Sequence, residues 1–256
     1  MNTRATRSFS RGSVSIRRRG LSTRRSLTCH ALFTGIVQGR ARVLSSERSG
    51  ETVRLIVCFP PGLCDDVAIG ASVSLNGTCL TATSKKRAEG AENTGMCIAF
   101  DIVDETLRRT NLGIAQPGSE LNFERSARLG DEIGGHNVSG HVCCTAHVAS
   151  IIRQDDGNVQ MKFVLDDPSW GKYILPKGYV AVNGCSLTVG EAENDCDVAG
   201  GNPSASFTVY LIPETLRVTV FGTLKVKDLV NIEVESQTQT IVDTVERVLS
   251  NRAIKV

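Results

Sequence analysis

The feature that most limits what this chain can fold into is that it repeats itself in order. Thr34-Gly35-Ile36-Val37 returns as Ser139-Gly140-His141-Val142, 105 residues on. Val73-Ser74-Leu75-Asn76-Gly77-Thr78-Cys79-Leu80-Thr81 returns as Val180-Ala181-Val182-Asn183-Gly184-Cys185-Ser186-Leu187-Thr188, 107 residues on. Glu105-Thr106-Leu107-Arg108 returns as Glu214-Thr215-Leu216-Arg217, and Leu121-Asn122-Phe123-Glu124 as Val230-Asn231-Ile232-Glu233, both at an offset of 109. Ordered matches whose offset drifts by only four residues mark a tandem duplication of a unit of about 100 residues, with small loop insertions causing the drift.

Each unit reads as all-β. Val53–Phe59, Cys97–Val103, Asn158–Leu165 and Ser206–Ile212 are short, partly alternating and rich in β-branched and aromatic residues, with Gly, Pro and Asn between them. That spacing suits a small barrel or sandwich in each half, over residues 32–133 and 134–235. The polar stretches Lys85–Gly95 and Glu191–Ala205 fall at matching places and read as surface hairpin loops. One helix is expected, over 236–256, where Ile241, Val242, Val245, Val248 and Leu249 form a single apolar stripe. Ser236 with Gln239 offers it a capping box. Its apolar face either packs back on a barrel or joins copies of the chain.

Residues 1–31 differ from the rest. They hold eight arginines, six serines and four threonines with no Asp or Glu, whereas the remaining residues carry 21 basic against 27 acidic groups. A basic, acid-free leader without a continuous apolar stretch reads as an organelle transit peptide, of a plastid or else a mitochondrion. A disordered nucleic-acid arm is the competing reading, and it fits poorly with an acidic domain lacking a basic stripe. No apolar run approaches the roughly 18 residues that span a bilayer.

The nine cysteines are odd in number, include the adjacent pair Cys143-Cys144 and contain no Cys-x-x-Cys. They read as reduced, mostly buried thiols rather than a disulfide framework or zinc ribbon. Nor do the histidines suggest a metal. His136 and His141, five apart, share neither a helix face nor a strand face, and His141 and His147 on one strand would lie about 20 Å apart. His136 reads as a residue of the turn between the repeats.

Several motifs resemble one family. FTGIVQG at 33–39, NGTCLT at 76–81, DEIGGHNVSGHV at 131–142, NGCSLTV at 183–189, IPETLR at 212–217 and QTQTIVDTVERVL at 237–249 are similar to riboflavin synthase, over residue 32 to about 250. The resemblance implies two tandem six-stranded Greek-key barrels and a C-terminal helix through which three chains associate. The implied reaction is a dismutation: two molecules of 6,7-dimethyl-8-ribityllumazine exchange a four-carbon unit, giving riboflavin and 5-amino-6-ribitylaminouracil with no metal or redox cofactor. Association with lumazine synthase is a further implication. The resemblance points to His141, Cys79 and Ser72 as catalytic. Substrate contacts are implied in the first repeat at Gly35, Ile36, Val37, Leu80, Thr81, Asp101, Glu105 and Thr106. In the second they fall at Gly140, Val142, Lys177, Ser186, Leu187, Thr188, Ile212, Pro213, Glu214 and Thr215. Glu235 stands where the family often has aspartate.

Duplication suits such chemistry, because two copies of one substrate need two similar pockets, and holding both rings together is worth roughly 7–11 kcal/mol in favourable cases. A dismutation also needs unlike roles. Thr81 and Thr188, and the two Glu-Thr pairs, are shared, and Gly35 and Gly140 let backbone approach a flat ring. Ile36 against His141, and Cys79 against Ser186, are where the copies diverge chemically. Two rivals remain. A chromophore-binding protein of the same fold needs only one good pocket, whereas both repeats keep their motifs. A flavin-dependent oxidoreductase would need a nicotinamide-binding glycine fingerprint, and no Gly-x-Gly-x-x-Gly follows a strand.

Overall fold

The computed structural model describes residues 32–88, 95–195 and 203–253, with side chains to Asn251. The leader, Cys29 and Cys196 lie outside the described residues. In the first half, β1 (Gly39–Ser49), β2 (Thr52–Phe59), β3 (Ser72–Leu75), β4 (Thr78–Arg87), β5 (Met96–Val103) and β6 (Glu120–Arg125) close into an antiparallel barrel in the order β1-β2-β5-β4-β3-β6. The second half repeats that order with β7 (Cys144–Arg153), β8 (Val159–Leu165), β9 (Tyr179–Val182), β10 (Cys185–Asn194), β11 (Ala205–Leu211) and β12 (Leu229–Val234). A one-turn helix follows the fifth strand of each, α1 (Asp104–Arg109) and α2 (Pro213–Val218), and α3 (Ser236–Ala253) ends the fold.

Alternation sends one side of each strand inward. On β2, Val53, Leu55, Val57 and Phe59 are buried while Arg54 is exposed. Phe59, Phe100 and Phe123 fill the first barrel edge-to-face, and Phe163 and Phe207 fill the second. With packed side chains inside both barrels, candidate sites lie on the outer walls and between the barrels.

The barrels meet about a pseudo-twofold axis. The hairpin turns Asn76-Gly77 and Asn183-Gly184 have positive φ throughout, the two-residue geometry that asparagine and glycine favour. They stand back to back, so a Cβ on Gly77 would come 2.7 Å from Gly184 N, and one on Gly184 would come 2.7 Å from Gly77 N. Asparagines bind the halves together. Asn122 Nδ2 donates to Asn183 O at 3.0 Å and Asn231 Nδ2 to Asn76 O at 2.7 Å. Each of these amides is nearly inaccessible yet bonded across the interface, as buried polar groups require.

Three sequence expectations change. The two polar stretches are partly strand: β4 runs to Arg87 and β10 to Asn194, with Asn194 still paired to Ala205, and only 89–94 and 196–202 lie outside the described residues. The cap of α3 comes from Glu235, whose carboxylate accepts from the Gln237 and Thr238 amides at 3.0 and 2.6 Å, in place of a Ser236 and Gln239 box. The cysteines are not all thiols. Cys58 and Cys97 form a disulfide, because antiparallel pairing of β2 with β5 sets them directly opposite, with Cα atoms 4.0 Å apart. A separation of 39 residues gave no spacing signature for it. Cys64, Cys79, Cys143, Cys144 and Cys185 are free.

Candidate functional sites on two crossed shelves

The segment that opens each repeat does not stay with its own barrel. Phe33 and Val138 pair antiparallel across the axis, at 2.9 and 3.0 Å. Beyond that bridge Gly35 O accepts from Ser186 N of β10 at 2.8 Å, and Gly140 O accepts from Cys79 N of β4 at 2.9 Å. Val37 packs on the second barrel's core. Glycine is obligatory at both crossings: φ is +74° and +79°, and an added Cβ would lie 2.5 Å from the Ser186 or Cys79 Cβ.

A buried carboxylate anchors each crossing segment. Glu124 accepts from Thr34 N, Thr34 Oγ1 and Gly35 N at 2.6, 2.9 and 2.9 Å. Glu233 does the same for Ser139 N, Ser139 Oγ and Gly140 N at 2.6, 2.8 and 3.0 Å. Burial pushes both carboxyls above the ordinary carboxylate range, and these hydrogen bonds pull the other way. Sequence reading saw Glu124 and Glu233 only as matched positions. Their role follows from the fold.

The crossing has a chemical consequence. At each of the two diverged positions the more reactive residue belongs to a different repeat, yet the crossing sets the His141 segment beside Cys79 and leaves Ile36 beside Ser186. The first shelf is an outward-facing row on β3, β4 and β5. Ser72 pairs with Thr81, and Thr81 and Asp101 flank the registered pair Ala82–Phe100. Asp101 is 3.6 Å from Arg54. Burial raises the Cys79 thiol, partly offset by a hydrogen bond with Ser72, and the charge of Glu233 raises it further. Cys79 is therefore a neutral thiol near pH 7, suited to a polar contact and not to attack as a thiolate. His141 and Val142 are joined by Arg109, at the end of α1, in lining a cleft of about 630 Å³ that also includes Glu233, Trp170 and the start of α3.

The second shelf is built alike and furnished differently. Tyr179 stands opposite Thr188 where the first shelf has Ser72, and Tyr210 stands in the place of Asp101. His136 completes it. Its ring stacks on Tyr179 with centroids 5.3 Å apart, its Nδ1 is 2.6 Å from Ser186 Oγ, and its buried Nε2 has no partner. Burial lowers its pKa, with the charge of Glu235 opposing, so the imidazole is neutral. This corrects the turn assignment. His136 does lie in an irregular segment, but it is 7% exposed and bonded to a candidate residue. The signal available in sequence was only the glycine at 135, which lets the chain pass close to Thr34 O and Ser186.

Other expected residues fall as follows. Leu80 and Leu187 point into the barrel cores, so only their backbone can line a site. Glu105 is pinned to Arg108 and Arg109, and Glu214 to Arg217, on exposed helix faces. Thr106 and Thr215 are half-buried, while Ile212 and Pro213 are exposed at the start of α2. Lys177 holds φ +68°, at the turn position that Gly70 fills in the first repeat with φ +88°. Glu235 is committed to capping α3, where burial raises its carboxyl but the Thr238 and Gln237 hydrogen bonds leave it lowered overall. His147 pairs with Asp166 at 3.2 Å. Among the described residues no three His, Cys, Asp or Glu side chains cluster so as to hold a metal ion.

Two closed barrels that lend each other an edge segment, with one shelf apiece on their outer walls, define a duplicated small-molecule-binding barrel protein. The chain belongs to the lumazine binding domain family, which matches residues 34–126 and 139–235. It is 44% identical over 221 residues to riboflavin synthase of Escherichia coli K12, covering 86% of this chain and 95% of that one. With riboflavin synthase of Meyerozyma guilliermondii it shares 33% over 211 residues, or 80% and 82% of the two chains. The fold is shared with the solved structure of LumP complexed with 6,7-dimethyl-8-(1'-D-ribityl) lumazine, at a TM-score of 0.61 and 22% identity, covering 79% of this chain and 98% of that one.

Proposed function

We propose that the chain is a riboflavin synthase, converting two molecules of 6,7-dimethyl-8-ribityllumazine to riboflavin and 5-amino-6-ribitylaminouracil. The observation that carries this is the crossing: two shelves of one design, one with Cys79, Ser72 and the His141 segment, the other with Ser186, Tyr179 and His136. Like shelves bind like molecules, and unlike furniture gives those molecules opposite parts in a four-carbon exchange. One molecule gains what the other loses, so the electrons balance without an external oxidant or reductant.

His141 moves the proton of an acidic ring methyl, Ser72 hydrogen-bonds the ring, and the neutral Cys79 thiol sits beside the carbon that accepts attack. The shelves are open outer walls, and Ile36 is 48% exposed, so a covering surface has to come from elsewhere. A second copy of the chain supplies it. Three chains associate through α3, where Ile241, Val245, Val248 and Leu249 are 44–64% exposed. Lys177, held in a conformation lysine rarely adopts, reaches a ligand on the neighbouring chain. Residues 1–31 direct the protein to a plastid, and lumazine synthase is its partner there.

Incubating purified residues 32–256 with dimethylribityllumazine alone tests the reaction. Riboflavin and the aminouracil should appear in equal molar amounts without added cofactor. Tight fluorescent binding with no riboflavin above the uncatalysed background would instead make the chain a chromophore binder.

A further inference from the structure

The disulfide belongs to the first barrel alone. On β2 the inward residues are Val53, Leu55, Val57 and Phe59, so Cys58 lies on the outer side of the wall, as Cys97 does on β5 in line with Asp101, and both are nearly covered, at 6% and 8% exposure. Strand register places Arg42 of β1 opposite Cys58 and Lys86 of β4 opposite Cys97. The cross-link is thus flanked across the wall by two cations. A cleft of about 370 Å³, lined by Arg42, Val43, Leu44, Pro117 and Gly118, reaches Cys58 but does not touch Cys97. The second barrel is an internal control. Its matching pair is Val164 opposite Ser206, and it closes into the same barrel without a covalent tie at that position. The fold itself does not need this bond.

We propose that Cys58–Cys97 is a redox modification site, opened by a dithiol reductant that enters the Arg42 cleft and sets the rigidity of the first barrel independently of the second. One thiolate of the reductant attacks Cys58 Sγ, forms a mixed disulfide and expels Cys97 as a thiolate, which takes a proton from solvent. The reductant's second thiolate then attacks its own sulfur in the mixed disulfide and releases Cys58. Two electrons pass to the protein, and the reductant leaves as a disulfide. Neighbouring cations favour the thiolates formed on the way. Reduction unties the β2–β5 ladder at the end where Phe59 pairs with Met96, leaving the Arg54–Asp101 ion pair to hold its middle.

The test uses the full chain under native conditions, alkylated with iodoacetamide before and after dithiothreitol and mapped by mass spectrometry. Cys58 and Cys97 should label only after dithiothreitol, with Cys64, Cys144 and Cys185 still protected. The melting temperature should fall by roughly 10 °C and recover on reoxidation. Cys58→Val with Cys97→Ser, the second barrel's own solution, should melt like the reduced protein and ignore dithiothreitol. Arg42→Ala should slow reduction several-fold. Labelling of both cysteines without dithiothreitol overturns the site, as does reduction that requires denaturant. A double variant melting with the oxidised protein overturns the claim on rigidity, and unchanged reduction in Arg42→Ala overturns the route. None of these readouts depends on the proposed reaction.

Discussion

His141 and Ile36 occupy one position of the duplicated fold, and so do Cys79 and Ser186, which lets each residue be tested with its own counterpart as control. His141→Ile places in the second crossing segment the residue the first already carries, so the fold should tolerate it. Turnover should drop by about 100-fold or more, the range for loss of a positioned acid or base, with little change in ligand affinity measured by fluorescence titration. Cys79→Ala should also lower turnover more than binding. Normal turnover in either variant would remove that residue from the reaction. His136 makes a different kind of prediction, about stability. Burial lowers its pKa in the fold, so the unfolded chain takes up the proton first as the pH falls. Its contribution is therefore complete above about 6.5, the unperturbed value, and is lost on acidification below it. Phenylalanine keeps the stacking surface against Tyr179 and cannot titrate. The melting temperature of His136→Phe should fall less than that of the wild type between pH 7 and about 5.5, and parallel pH profiles would contradict the assignment.

Among the elements, α3 was the most legible in sequence, because a 3.6-residue apolar stripe declares a helix regardless of what covers it. Sequence could not decide between packing back on a barrel and self-association, since both use the same stripe. The structure divides the stripe. Val242 packs on the second barrel, Tyr173 Oη donates to Asp243 at 2.5 Å, and Lys172 meets Glu246 at 2.6 Å. With the helix docked on that side, Ile241, Val245, Val248 and Leu249 remain outward. Val245→Asp should leave the melting curve of the isolated subunit within about 0.5 kcal/mol of its parent, as surface changes do. On the proposed assembly it should nonetheless shift sedimentation from trimer to monomer. A trimer that persists would mean that α3 is not the contact. The strand assignments from alternation also survived, with boundaries moving by a residue or two. The arms of the two hairpins read as loop in sequence because charged residues on an exposed strand end have the composition of a loop.

At the scale of the whole molecule, duplication was visible in sequence but crossing was not. Repeats in order say that two units exist. They do not say which unit a boundary segment adheres to, because that is decided by long-range partners, Ser186 for Gly35 and Cys79 for Gly140, and these carry no local signature. Cys58 and Cys97 escaped for the same reason. The crossing has a consequence for each half taken alone. Residues 32–133 contain β4 with an unpaired Cys79 amide and a Gly35 carbonyl that has lost Ser186. The pseudo-twofold supplies the remedy, since a second copy of the first half can stand where the second half stood. Its Gly35 carbonyl then meets Cys79 N across the axis, and its Asn76-Gly77 turn stacks on the other's. In place of Gly184 the partner turn presents Gly77, which makes the same close approach. Expressed alone, residues 32–133 should therefore form a homodimer by sedimentation, and Gly35→Ala should abolish it, because the added Cβ would collide with the Cys79 backbone. The dimer should bind lumazine at two equivalent shelves that carry Cys79 but Ile36 in place of His141, and so should bind with little turnover. A monomeric, fully folded first half would show that the exchanged segments are not required to complete a barrel.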